Sequence, residues 1–160
     1  MTNDTNKITV NSWLSELSNE YHFQLDEQGF CALANDGIDI EINVPNSKPA
    51  VFLTAKISDL AQEHREAVLY QAMTLNLYQG ETNGATIALD PNREELLLCY
   101  SSALGACDAV SFSNILINFT DTTKSLRERI LAPDQDGHTS GDHTHHDGPE
   151  SRNAFEFITP

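Results

Sequence analysis

Apolar residues recur along the chain at two spacings, and the changes between them mark its elements. Val10, Leu14, Leu17 and Tyr21 lie three to four apart, which predicts a short helix ending near Glu20, capped by Thr9 or Asn11, with residues 1–8 frayed. Trp13 lies beside that stripe; an aromatic there is commonly a core-edge residue, and otherwise the lip of a binding groove. Period-two alternation follows. Tyr21, Phe23 and Leu25 face away from His22, Gln24 and Asp26; a Gln28-Gly29 turn leads into Phe30 to Ala34. After Asn35-Asp36-Gly37, Ile38, Ile40, Ile42 and Val44 alternate with Asp39, Glu41 and Asn43 until Pro45-Asn46 stops the run. Val51, Leu53, Ala55 and Ile57 continue the sheet, leaving Phe52 on the face that alternation makes polar.

Ser58 or Asp59 is placed to cap a second helix reaching about Gln79 and ending near Gly80. From Val68 to Tyr78 its apolar residues point around most of the circumference, more than a helix covering one face of a small sheet needs. Thr86-Ile-Ala-Leu-Asp90 reads as a strand, Asp90-Pro91-Asn92 as a turn, and Glu95 to Ser101 as a return strand. That return strand is apolar on both faces, with Leu96, Leu98 and Tyr100 on one and Leu97 and Cys99 on the other. A chain this small rarely buries a sheet twice, so the stretch 71–104 predicts surface that a partner covers. Asp108 caps a third helix with Phe112, Ile115, Leu116, Phe119, Leu126 and Ile130 in one stripe, Lys124, Arg127 and Arg129 in its final turns, and Pro133 beyond its end.

The predicted class is α+β, in the order α-β-β-β-α-β-β-α, with a twisted antiparallel sheet packed by helices; the piece at Phe30 is either its own strand or the start of the one at Ile38. Residues 1–131 make one domain. Residues 132–160 form an acidic, His-rich tail with almost nothing to bury, expected to be largely disordered, in which only Phe155, Phe157 and Ile158 have the character to dock.

Composition sharpens the choice of partners. The formal charge is −15; the body to Leu131 holds 18 acids and 8 bases, the tail 6 acids and 1 base, so the acidity belongs to both. Such a body repels phosphate backbones and anionic head groups, which argues against nucleic acid and membrane surfaces and for basic or apolar protein segments. No apolar run reaches the ~20 residues of a membrane span, and the N-terminal residues lack the pattern of a secretory signal, which places the protein in the cytoplasm. Cys31, Cys99 and Cys107 match neither a CxxC pair nor a zinc site and read as small buried hydrophobes.

No catalytic constellation stands out, and no enzyme activity or cofactor is expected. His22 and His64 are isolated, the glycines at 80, 84 and 105 form no phosphate-binding pattern, and Asp90, Glu94 and Glu95 gather at a turn where solvation is the common reason. The one group with ligand character is His138, His143, His145 and His146 with Asp142 and Asp147; such a tail more often binds metal adventitiously than functionally. A small metal-binding or catalytic α+β protein working through that tail is the alternative reading.

Leu75-Asn76, Gly84, Ile87-Ala-Leu-Asp90, the Leu96 to Leu98 strand and the amphipathic last helix, in that order, resemble the pattern of the class I type III secretion chaperones, the Tir chaperone family. The likeness spans about residues 9–131 and is sharpest over 75–101. Leu104-Gly105-Ala106, where members often have Leu-Pro, and the His/Asp tail depart from it. The resemblance implies a cytoplasmic, Gram-negative, virulence-associated homodimer that binds the N-terminal segment of one or a few secreted effectors and passes it to the export apparatus, the secretion ATPase being a further expected contact. Client contacts are then expected at Trp13, Leu14, Leu17, Phe30 and Phe52, and the dimer interface at Leu69, Met73, Leu77, Leu97 and Cys99.

Overall fold

A computed structural model describes residues 2–131 and 155–156, with side chains from 5 to 130. Three helices, α1 (Thr2–Glu16), α2 (Arg65–Leu75) and α3 (Ala109–Leu131), accompany the strands β1 (Phe30–Asn35), β2 (Ile38–Asn43), β3 (Ala50–Asp59), β4 (Thr86–Asp90), β5 (Glu95–Ala103) and β6 (Phe155–Glu156). The sheet order is β4-β5-β3-β2-β1-β6, and every pairing is antiparallel. The predicted α+β order therefore holds, with the Phe30 piece as a separate strand and a two-residue strand from the tail added at one edge.

One face of the sheet makes the core. Ile38, Ile40 and Ile42 of β2, Val51, Leu53 and Ala55 of β3, and Leu96 and Leu98 of β5 form a single buried cluster with Val10 and Leu14 of α1, Ala72 and Leu75 of α2, and Phe112, Leu116 and Leu126 of α3. Trp13 stacks at a tilt on Phe112, ring centroids 5.5 Å apart, which ties the first helix to the last. Asn35 donates to the Thr120 hydroxyl at 2.9 Å, and that hydroxyl donates to the Leu116 carbonyl, so the buried polar pair is satisfied. The β1–β2 hairpin turns on Asp36 and Gly37, both with positive φ, as Asn-Asp-Gly predicts. At Gly29 (φ +90°) a Cβ would lie 2.5 Å from the Val44 carbonyl oxygen, so the turn there requires glycine.

Several boundaries differ from those the sequence suggests. Helix α1 begins at Thr2, and neither Thr9 nor Asn11 is its cap: Thr9 bonds back to the Thr5 carbonyl, while Asn11 Oδ1 accepts the Leu25 N–H at 2.8 Å. The alternation at 21–26 is right in part: Phe23 and Leu25 are inside, but Tyr21 is 38% exposed and the segment is no strand. Ser58 and Asp59 do not cap α2; they pair with Leu96 and Glu95 across β3–β5. Helix α2 starts only at Arg65, behind His64 in left-handed backbone. Asp108 does cap α3, its Oδ1 accepting the Ser111 N–H at 2.8 Å. The cations near the end of α3 bind other elements: Lys124 pairs with Asp36, Arg129 with Glu81, and Arg127 grips the Lys56 carbonyl through two nitrogens at 2.9 and 2.7 Å.

Candidate interaction surfaces

Helix α2 meets the core through Ala72 and Leu75 and leaves its other side uncovered. Tyr70 (77% exposed), Met73 (74%), Leu77 (61%) and Tyr78 (92%) form an apolar patch over its outer face and the 3-10 turn that follows, Leu77–Gln79. Single exposed hydrophobics are ordinary; four large ones within nine residues mark a surface built for contact. Leu69, expected beside Met73 and Leu77, is half-buried against the core. Tyr70 and Tyr78, which belong to the apolar excess between Val68 and Tyr78 but not to the expected interface residues, join the patch.

What holds the patch in place is Asn76. Its Nδ2 donates to the Ile87 carbonyl at 3.0 Å and its Oδ1 accepts the Ile87 N–H at 2.8 Å, fastening the end of α2 to β4, an edge strand among the described residues. On the neighbouring loop the Thr82 hydroxyl donates to the Ala85 carbonyl at 2.7 Å, and Asn83 donates to Thr122 of α3 at 2.8 Å.

The sheet face away from the helices is the second uncovered surface. Pairing places Phe52 of β3 beside Asn43 and Ser101, Thr54 beside Glu41 and Cys99, and Lys56 beside Leu97. Phe52, Leu97 and Cys99 are half-buried there, and Phe30, opposite Asn43 at the start of β1, is 46% exposed. Leu97 and Cys99 thus share a face with Phe52, a different surface from the α2 patch; the sequence reading had grouped these two with the helix. Trp13 and Leu14 are a clearer correction. At 7% and 0% exposed they are core residues locked against α3, with no surface to offer a client, whereas Leu17 is half-buried at the rim.

Little here favours small-molecule chemistry. A cleft of about 260 Å³ opens between the 82–85 loop, Tyr100 and α3, but no charged side chain lines it and the Thr82 and Thr122 hydroxyls already donate to carbonyls. Burial pushes the thiols of Cys31, Cys99 and Cys107 up, away from the reactive thiolate. Among the described residues no three His, Cys, Asp or Glu side chains gather to hold a metal; His138, His143, His145 and His146 lie outside the described residues. No helix among them is long and apolar enough to cross a membrane.

The fold is that of known secretion chaperones. The chain superimposes on a structure described as the ExsC-ExsE complex with a TM-score of 0.66 at 17% identity, over 81% of this chain and 98% of that one. It matches a structure described as the HopA1-SchA chaperone-effector complex with a TM-score of 0.63 at 13% identity, covering 80% and 99%. It also matches the heterodimeric ExoU-SpcU complex of the type III secretion system of Pseudomonas aeruginosa, with a TM-score of 0.55 at 14% identity, covering 76% and 94%. No curated protein matches the chain. The family model of the Tir chaperone protein (CesT) family matches residues 12–127, which takes in α2 and β1 to β5 whole, the end of α1 and most of α3: the chain belongs to the Tir chaperone family.

Proposed function

We propose that this chain is a cytoplasmic type III secretion chaperone that binds the N-terminal region of one or a few secreted effectors as a homodimer, keeps that region extended and competent for secretion, and delivers it to the export apparatus, its ATPase included. It does so without catalysis of its own. The observation that carries the reading is the family match over residues 12–127 on a body that leaves two apolar surfaces uncovered. A similar structure described as a chaperone–effector complex, and another described as a heterodimeric complex of a type III secretion system, support the choice of partner.

Each surface has its own part. The α2 patch, Met73 and Leu77 with Tyr70 and Tyr78, is the self-association surface, with Leu69 beneath it. The client lies along Leu17, Phe30 and Phe52 and extends over Leu97 and Cys99. An extended segment gains backbone hydrogen bonds at a sheet edge while its apolar side chains fill pockets, so binding is firm with loose demands on sequence. The net charge of −15 favours basic segments over acidic ones.

Co-expression with a secreted protein encoded beside this gene is the test. A soluble complex that forms with the parent chain and is lost in Phe52→Asp, while the variant still self-associates, supports the reading. If the parent chain purifies alone from every such pair, the client half fails; light scattering that gives a strict monomer at micromolar concentration removes the dimer half.

A further inference from the structure

Strand β6 comes from the far end of the chain and seats itself on β1, Phe155 opposite Asn35 and Glu156 opposite Ala34. Which backbone groups it meets follows from the hairpin. Asn35 and Ile38 flank the two-residue turn, so Asn35, Leu33 and Cys31 spend their backbone groups on β2, and Ala34, Ala32 and Phe30 turn theirs outward. The Phe30 carbonyl accordingly accepts the Asp26 N–H at 2.7 Å. Ala34 and Glu156 are thus a hydrogen-bonded pair, and the described residues of β6 meet the Asn35 end of a six-residue edge. Charge does not favour this occupant: tail and body are both net negative, and exposed Asp39 and Glu41 of β2 stand opposite Ala34 and Ala32.

We propose that the C-terminal strand is a built-in competitor for the β1 edge, and that this edge takes a basic, extended segment of a partner protein by displacing it. The competitor comes from a tail that is net negative like the body it sits on, so charge weakens its hold on the edge. A segment that pairs along β1 and brings cations to Asp39 and Glu41 keeps the edge hydrogen bonds and makes a better charge match than the tail does. The identification of that segment with a secreted client rests on the chaperone reading; the competition itself does not.

Full-length protein labelled with ¹⁵N tests both parts. Glu156→Pro deletes the N–H that faces Ala34, whereas Glu156→Ala keeps it. Amide exchange at Ala34 is expected to speed up at least about tenfold in Glu156→Pro and to stay unchanged in Glu156→Ala, with Leu33, bonded to β2, unaffected in both. The probes are the decapeptide spanning 151–160 and the same peptide carrying Glu156→Lys. Both are expected to shift the Ala32 and Ala34 signals of the Glu156→Pro chain, the Lys peptide binding more tightly at low salt, and each binding the parent chain at least about fivefold more weakly. Unchanged exchange at Ala34, equal affinity for parent and variant, shifts elsewhere than β1, or no binding of either peptide at millimolar concentration would each overturn the proposal. No effector enters this experiment, so its failure is separate from a failed co-expression.

Discussion

Asn76 holds Ile87 by both of its backbone groups, one hydrogen bond of 2.8 Å accepted and one of 3.0 Å donated. A side-chain amide thereby imitates a neighbouring strand at one residue of β4. The Leu-Asn pair near the end of the central helix divides two tasks between adjacent positions: Leu75 fills the core and Asn76 fixes the helix to the sheet edge.

Asn76→Ala leaves both Ile87 groups without this partner and is expected to cost about 1–3 kcal/mol in urea unfolding, while Asn76→Asp keeps an acceptor for the N–H and loses the donor to the carbonyl. Unchanged stability in Asn76→Ala would show that water replaces the clamp at no cost.

Met73→Asp and Leu77→Asp alter side chains that the isolated chain leaves exposed, so each should change the stability of the monomeric fold by only about 0.5 kcal/mol. Sedimentation should nonetheless show the loss of self-association. Ala72→Asp, one position from Met73 and buried, is expected to unfold the chain instead. A variant at 73 and 77 that sediments like the parent would place the interface elsewhere.

Hydrogen bonds from Ser111, side chain and backbone, hold the Asp108 carboxyl below its ordinary value of 3.8. A lowered folded-state value means that the stabilisation is fully present above the unfolded value and fades as pH falls through the folded one. Asp108→Asn, which also caps well but does not titrate in this range, should therefore unfold with a shallower pH dependence below about pH 4 and match the parent more closely there than at pH 7. Parallel profiles down to acid unfolding would remove the cap from the account.

Because burial raises the three thiols, the thiolate fraction at pH 8 is smaller than for a free cysteine. Iodoacetamide should label the folded chain slowly and the urea-unfolded chain fast, as mass spectrometry can read site by site. Cys99 lies on the open sheet face proposed to hold the client, so it should be labelled more slowly still in a client complex. A Cys99 rate indifferent to the client would shift the contact off that face.

Much of this fold is legible in the alternation of residues. Ile38 to Ile42, Thr86 to Asp90 and the start of β5 at Glu95 coincide with their strands because each has a plain period and a turn at its end. The extra residue in β3 is harder to read. Between Lys56 and Ser58 the register shifts, so that Ile57, Ser58 and Leu60 all turn inward, and a period of two breaks where the strand does not. Ser58 and Asp59 then look like the start of a helix. Asn11 misleads in the same way, since a cap residue and a side chain that pins a distant loop are the same amino acid. The uncovered side of α2 is legible as an excess of apolar positions, whereas Trp13, beside the stripe that holds Leu14, reads as core edge or groove lip until α3, far along the chain, is seen to close over both.

That closure has a consequence for synthesis. Trp13 finds Phe112 only after roughly a hundred further residues have been made, and β3 finds β5 only across the whole of α2 and β4, so the contacts that define the core are among the longest in sequence. As the chain leaves the ribosome, α1 and the first hairpin wait, with Val10, Leu14 and Ile40 wet, until Phe112 and Leu116 emerge. A protein proposed to shield the unfolded segments of others is thus itself without a core until nearly all of its body has been translated.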